Sequence, residues 1–72
     1  MNVFDYSRSE LEFMIDEWVI CRKNSKRNRD IFKRALLDGE SQEQIAEQYD
    51  MSTRQIQNII YACQRQLFPH LK

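Results

Sequence analysis

From Met51 to Lys72 the chain carries no acidic residue, and within that stretch Thr53, Arg54, Gln57, Asn58 and Tyr61 recur at three- and four-residue spacing. On a helix that spacing puts side chains on one face. Arginine presents a donor fork matching the guanine edge, glutamine and asparagine carry the paired donor and acceptor that match adenine, and short hydroxyls suit a base or a phosphate. Such a face is suited to the major groove of a duplex. Thr53, Arg54, Gln57 and Asn58 are the expected base contacts, with Ser52 and Tyr61 on phosphate. Tyr61 can equally be read as a partly buried aromatic.

Other chemistries lack their parts. No nucleophile is paired with a base, the one glycine, Gly39, makes no phosphate-cradling loop, and the acids fall on polar helix faces. The chain is therefore not expected to be an enzyme, and no cofactor is implied. His70 has no second ligand or carboxylate near it in sequence. Cys21 and Cys63 lack Cys-x-x-Cys spacing, which argues against a zinc site and leaves no metal expected. With no signal segment and no apolar run of transmembrane length, they are read as reduced thiols of a cytoplasmic protein, a disulfide being allowed on number alone.

The formal charge is zero, but it is unevenly placed. Residues 1–21 hold Asp5, Glu10, Glu12, Asp16 and Glu17 against Arg8 alone, and 38–50 hold only acids. The run 22–34 sets Arg22, Lys23, Lys26, Arg27, Arg29, Lys33 and Arg34 against Asp30. A dipolar molecule of this kind can turn a basic face to DNA and its acids away. Arg22, Lys26, Arg27 and Lys33 are the expected phosphate contacts, although such a run is also read simply as a solvated face.

The elements that must hold these residues are helices. One Gly, one Pro, abundant Glu, Gln, Lys, Arg, Leu and Ile, and no two-residue alternation indicate an all-α chain forming a single domain over 1–72. Ser7 with Glu10, or Ser9 with Glu12, opens a helix over about 8–20, whose stripe is Leu11, Met14, Ile15, Trp18 and Val19. Ser25 or Asn28 caps the next, about 26–37, which Asp38-Gly39 ends. Ser41 with Gln44 and Ser52 with Gln55 open two more, about 41–49 and 52–67, the latter stopped by Pro69. The expected core is Leu11, Trp18, Ile31, Leu36, Ile45, Tyr49, Ile56, Ile59 and Cys63. The N-terminal helix, with Phe4, Tyr6, Phe13 and Ile20 besides its stripe, has more apolar residues than one face needs. It offers a surface for a second copy or another protein.

The last two helices carry the offsets of a helix-turn-helix over about 41–66: Ile45, Tyr49 and Met51 as anchors, Ile56 and Ile59 on the second helix, Ala46 at the crossing. Asp50 stands where many such motifs have Gly, and Asp tolerates the left-handed turn conformation. An ordinary helical hairpin explains the apolar stripe equally well, but it gives no reason for the acid-free polar face. At these residues the chain resembles region 4 of the sigma-70 family of transcription initiation factors, and also small sigma-like regulators of phages and prophages of Gram-positive bacteria. The resemblance runs without a gap from Ser41 to Ile59, with Gln48-Tyr49-Asp50 in place of that family's Gln-Phe-Asp, and extends over residues 25–70.

The resemblance implies a four-helix domain whose last helix reads promoter DNA through Thr53, Arg54, Gln57 and Asn58. The family carries Arg-Glu where this chain has Thr53-Arg54, and Arg-Gln where it has Gln57-Asn58, so a different base sequence is implied. With no counterpart of the family's other promoter- and polymerase-binding regions, the expectation is a sequence-specific DNA-binding transcriptional regulator, with double-stranded DNA as partner, no membrane, and a homodimer allowed. The alternative is a sigma-like module that binds RNA polymerase or another regulator without reading DNA.

Overall fold

The computed structural model describes residues 5–71. Four α-helices follow in order, α1 (Arg8–Trp18), α2 (Ser25–Leu36), α3 (Gln42–Tyr49) and α4 (Thr53–Leu67), and a 3₁₀ turn, Phe68–His70, follows α4 directly. Among the described residues there is no strand. No helix of the described residues is long and apolar enough to cross a membrane.

Local chemistry sets three of the four helix starts. Ser7, Ser41 and Ser52 are N-caps, and each Oγ accepts the N–H of the residue three positions on, whose own side chain accepts the serine N–H in return. Two otherwise orphaned donors are satisfied at each end. Ser7, not Ser9, is the cap of α1, and hydrogen bonds from the Ser7 N–H and hydroxyl hold the Glu10 carboxyl below its ordinary range.

The start of α2 departs from expectation. Its N-cap is Asn24, in the left-handed region at φ 55°, and its side chain makes no cap bond. Ser25 is instead drawn into a local network, its Oγ accepting from the Cys21 N–H at 3.5 Å and from Arg29 Nη1 at 2.7 Å. The same Arg29 nitrogen donates to the Val19 carbonyl at 3.3 Å. That bond explains why α1 ends at Trp18 rather than at 20: Val19 leaves the helix in an extended conformation, its carbonyl taken by Arg29 and its side chain fully buried.

Helix α4 is the axis of the core. Ile56, Ile60, Cys63 and Leu67 point inward against Ile31 and Phe32 of α2, Ile45 and Ala46 of α3, and Ile15 and Val19 at the end of α1. Leu36, Tyr49 and Ile59 lie at the rim, half-buried against this cluster. Trp18 corrects the expected core: it is 44% exposed. Buried here are Leu11 and Ile15 on α1 and Val19 just after it, whereas Trp18, the last residue of α1, stays partly exposed at the helix end. Its indole stacks on the His70 imidazole, centroids 4.0 Å apart and planes 17° apart. Phe13 and Ile20 are exposed, whereas Phe4 of the expected N-terminal surface lies outside the described residues.

Candidate nucleic-acid interface

The connection from α3 to α4 is three residues long, Asp50–Ser52, and its geometry aims α4. Asp50 adopts φ 54°, ψ 46°, which lets its N–H reach back to the Ala46 and Glu47 carbonyls, while the Met51 N–H donates to Ala46 at 2.9 Å. The helix is closed and the chain turned within one residue, as the sequence required of Asp50. Ser52 then caps α4, its Oγ accepting from the Gln55 N–H at 3.1 Å. The hydroxyl proton of Ser52 stays free to donate outward, since only its acceptor side is used.

From that cap, Thr53, Arg54 and Asn58 project into solvent and Gln57 is half-buried. Tyr61, on the same side one turn further, is 49% exposed. Arg54 takes part in no ion pair among the described residues, whereas Arg8, Arg29, Lys33 and Arg34 all do. A cation left unpaired in a chain with as many acids as bases is available to an outside anion or base.

Helix α3 is braced by an arginine that sequence reasoning did not single out. Arg34 of α2 donates through Nη1 to Glu40 Oε2 at 3.2 Å and Gln48 Oε1 at 2.7 Å, and through Nε to the Tyr49 hydroxyl at 3.3 Å. Gln48 closes the network by donating to Glu40 Oε1 at 3.1 Å. Planar arginine suits such a multidentate role. Its partners lie six to fifteen positions away, so spacing alone gave no sign of them.

The expected phosphate contacts are not gathered around the base-reading turns. The Ile20 N–H donates to Gln66 Oε1 at 2.8 Å and the Cys63 thiol to the Asn28 carbonyl at 3.9 Å, so the segment carrying Arg22, Lys26 and Arg27 lies beside the C-terminal half of α4. Arg22 and Lys26 are exposed there, and Arg27 is half-buried with its guanidinium on Asn28 Oδ1 at 3.1–3.2 Å. Lys33 is turned the other way, its ammonium 2.8 Å from Asp16 of α1, with Arg29 3.7 Å from the same carboxylate.

One basic side chain was passed over. Arg65 continues the row Arg54, Asn58, Tyr61 at the same spacing, is exposed, and makes no ion pair among the described residues. With Asn58, Tyr61, Gln64, Phe68 and Pro69 it lines an open groove of about 870 Å³ along the outer side of α4. Carrying the three- and four-residue spacing two turns further would have found it.

The cysteines are free, Cys21 half-buried and Cys63 buried. Burial foremost, then the neighbouring Cys21, pushes the Cys63 thiol up to about 12. Among the described residues no group of three His, Cys, Asp or Glu side chains is placed to hold a metal ion. No family model, curated protein or solved structure matches the chain.

Proposed function

We propose that this protein is a sequence-specific DNA-binding transcriptional regulator in which α3, the Asp50–Ser52 turn and α4 act as a helix-turn-helix. The observation carrying this reading is the outward face of α4, where Thr53, Arg54 and Asn58 emerge directly after a rigid cap with no acid on the helix and no ion-pair partner for Arg54 among the described residues. In such motifs the N-terminal residues of the second helix meet base edges. Arg54 offers the fork for guanine and Asn58, four residues on, the donor–acceptor pair for adenine; Thr53 and Gln57 flank them, and Ser52 and Tyr61 are placed for the backbone. The likeness to sigma-70 region 4 and to phage-borne sigma-like regulators adds support at these positions.

Selection of bound sequences from a random duplex pool tests the reading and returns the site. Arg54→Ala should relax preference at one base position by roughly 1–3 kcal/mol while leaving the fold intact. If Arg54→Ala with Asn58→Ala leaves sequence preference unchanged in a domain that binds DNA, the reading face is misassigned. The second reading is then favoured: a module that binds RNA polymerase or another regulator, with exposed Phe13 and Ile20 on and just after α1 as its apolar surface.

A further inference from the structure

We infer that the C-terminal half of α4 grips the sugar-phosphate backbone of one strand, with Arg65 as its anion-binding residue, so that the two halves of the helix divide reading from holding. This rests on the DNA-reading assignment above. The argument begins with length. Fifteen residues of α4 span roughly 22 Å, whereas the major groove is about 12 Å wide. A helix whose first turns lie on base edges therefore carries its last turns out over a bordering strand. Arg65 is eleven positions beyond Arg54, about 16 Å along the axis and on the same side.

The surface at that point suits a phosphate-bearing strand. Arg65 is exposed without an ion-pair partner among the described residues, and the groove beside it, which begins at Asn58, combines Gln64, which can donate to a phosphate oxygen, with Tyr61, Phe68 and Pro69, whose apolar surfaces fit a deoxyribose. The groove is lined by no acid. The Ile20–Gln66 bond brings the connector bearing exposed Arg22 and Lys23 to the same end of α4, and the exposed acids Glu43, Glu47 and Asp50 belong to α3 and its turn. Charge thus favours an anionic occupant at this end, and the row shared with Arg54 and Asn58 makes that occupant the same duplex.

The test compares Arg65→Gln and Arg65→Lys with the unmodified domain on the selected duplex and on a scrambled one, across a salt series. Arg65→Gln should weaken both duplexes by the same factor and make the slope of log affinity against log salt shallower by roughly 0.9, one released counterion. Arg65→Lys, which keeps the charge, should keep the slope. The helical circular-dichroism signal should match in all three. Unchanged affinity and slope in Arg65→Gln, on a duplex that the parent domain binds, overturns the backbone grip while leaving base reading by Arg54 intact. A change of base preference in Arg65→Gln overturns it also. Failure of the unmodified domain to bind any duplex in a salt-dependent way removes both assignments, and the groove then belongs to a protein ligand.

Discussion

Asp50 sits in a left-handed conformation that Asp tolerates better than most side chains but that glycine adopts with the least strain, and replacing it isolates the energetics of the turn that aims α4. Its φ of 54° and ψ of 46° are left-handed, and its exposed side chain makes no hydrogen bond or ion pair among the described residues, so Asp50→Gly removes no tertiary interaction. A non-glycine residue held there is strained by roughly 1–2 kcal/mol. Glycine's greater freedom in the unfolded chain offsets about 0.5–1 kcal/mol of the relief. The expected net is a stabilisation of about 0.5–1 kcal/mol, which in a domain this small raises Tm by about 2–8 °C. Gly39 supplies the mirror experiment. It has φ +68° and nothing within 4 Å of an added Cβ, so Gly39→Ala introduces the same strain with no clash. Thermal unfolding followed by circular dichroism should show shifts of opposite sign and similar size. A fall in Tm for Asp50→Gly, or shifts of the same sign for both, would refute the reasoning.

Ile56, with no exposed surface, should cost roughly 2–5 kcal/mol on truncation to Ala, whereas Arg54→Ala should leave denaturant unfolding nearly unchanged; equal losses would contradict the inward and outward faces assigned to α4. Cys63 keeps its proton in the folded state up to about 12 but loses it near 9.0 when unfolded, so the stability it contributes is whole below pH 9 and declines between those values. A Cys63→Ser variant, compared by urea titration across that window, should lack this component of the decline. Neutralising Arg22 and Lys26 together should weaken binding to all duplexes alike and make the salt slope shallower by roughly 0.9 for each phosphate left without its cation; an altered base preference with an unchanged slope would count against their phosphate role.

What could be read from the sequence was local. The caps at Ser7, Ser41 and Ser52, the glycine that ends the α2 segment and the left-handed Asp50 each depend on residues within a few positions, and these are found in the structure, whereas α2 is capped by Asn24 rather than by Ser25 or Asn28. The outward face of α4 was legible for the same reason, because helical spacing alone decides which residues oppose Ile56, Ile60 and Cys63. Trp18 was expected in the core because it falls within the apolar stripe of α1; its exposure is set by its place as the last residue of that helix and by its stack on His70 in the C-terminal turn, a contact that spacing along the chain does not reveal. Lys33 illustrates the other failure. Its basic charge was visible, but the carboxylate that takes it, Asp16, lies seventeen positions back on another helix. Arg29 and Arg34, both on α2, are likewise tertiary fastenings, the first to the Val19 carbonyl after α1 and the second to Tyr49 of α3, set by how the helices meet.

The stack of Trp18 on His70 gives the molecule a built-in optical gauge. The only tryptophan and the only histidine of the chain touch where the last turn of α1 meets the 3₁₀ turn after α4. Indole emission therefore reports whether the two ends of the fold are docked, and it says little about the interior around Phe32 and Ile56. Undocking of the C-terminal turn changes this signal even where α4 stays helical. A fluorescence midpoint earlier than the circular-dichroism midpoint would accordingly mark fraying of that seam, and coincident midpoints would mean that the seam and the core separate together.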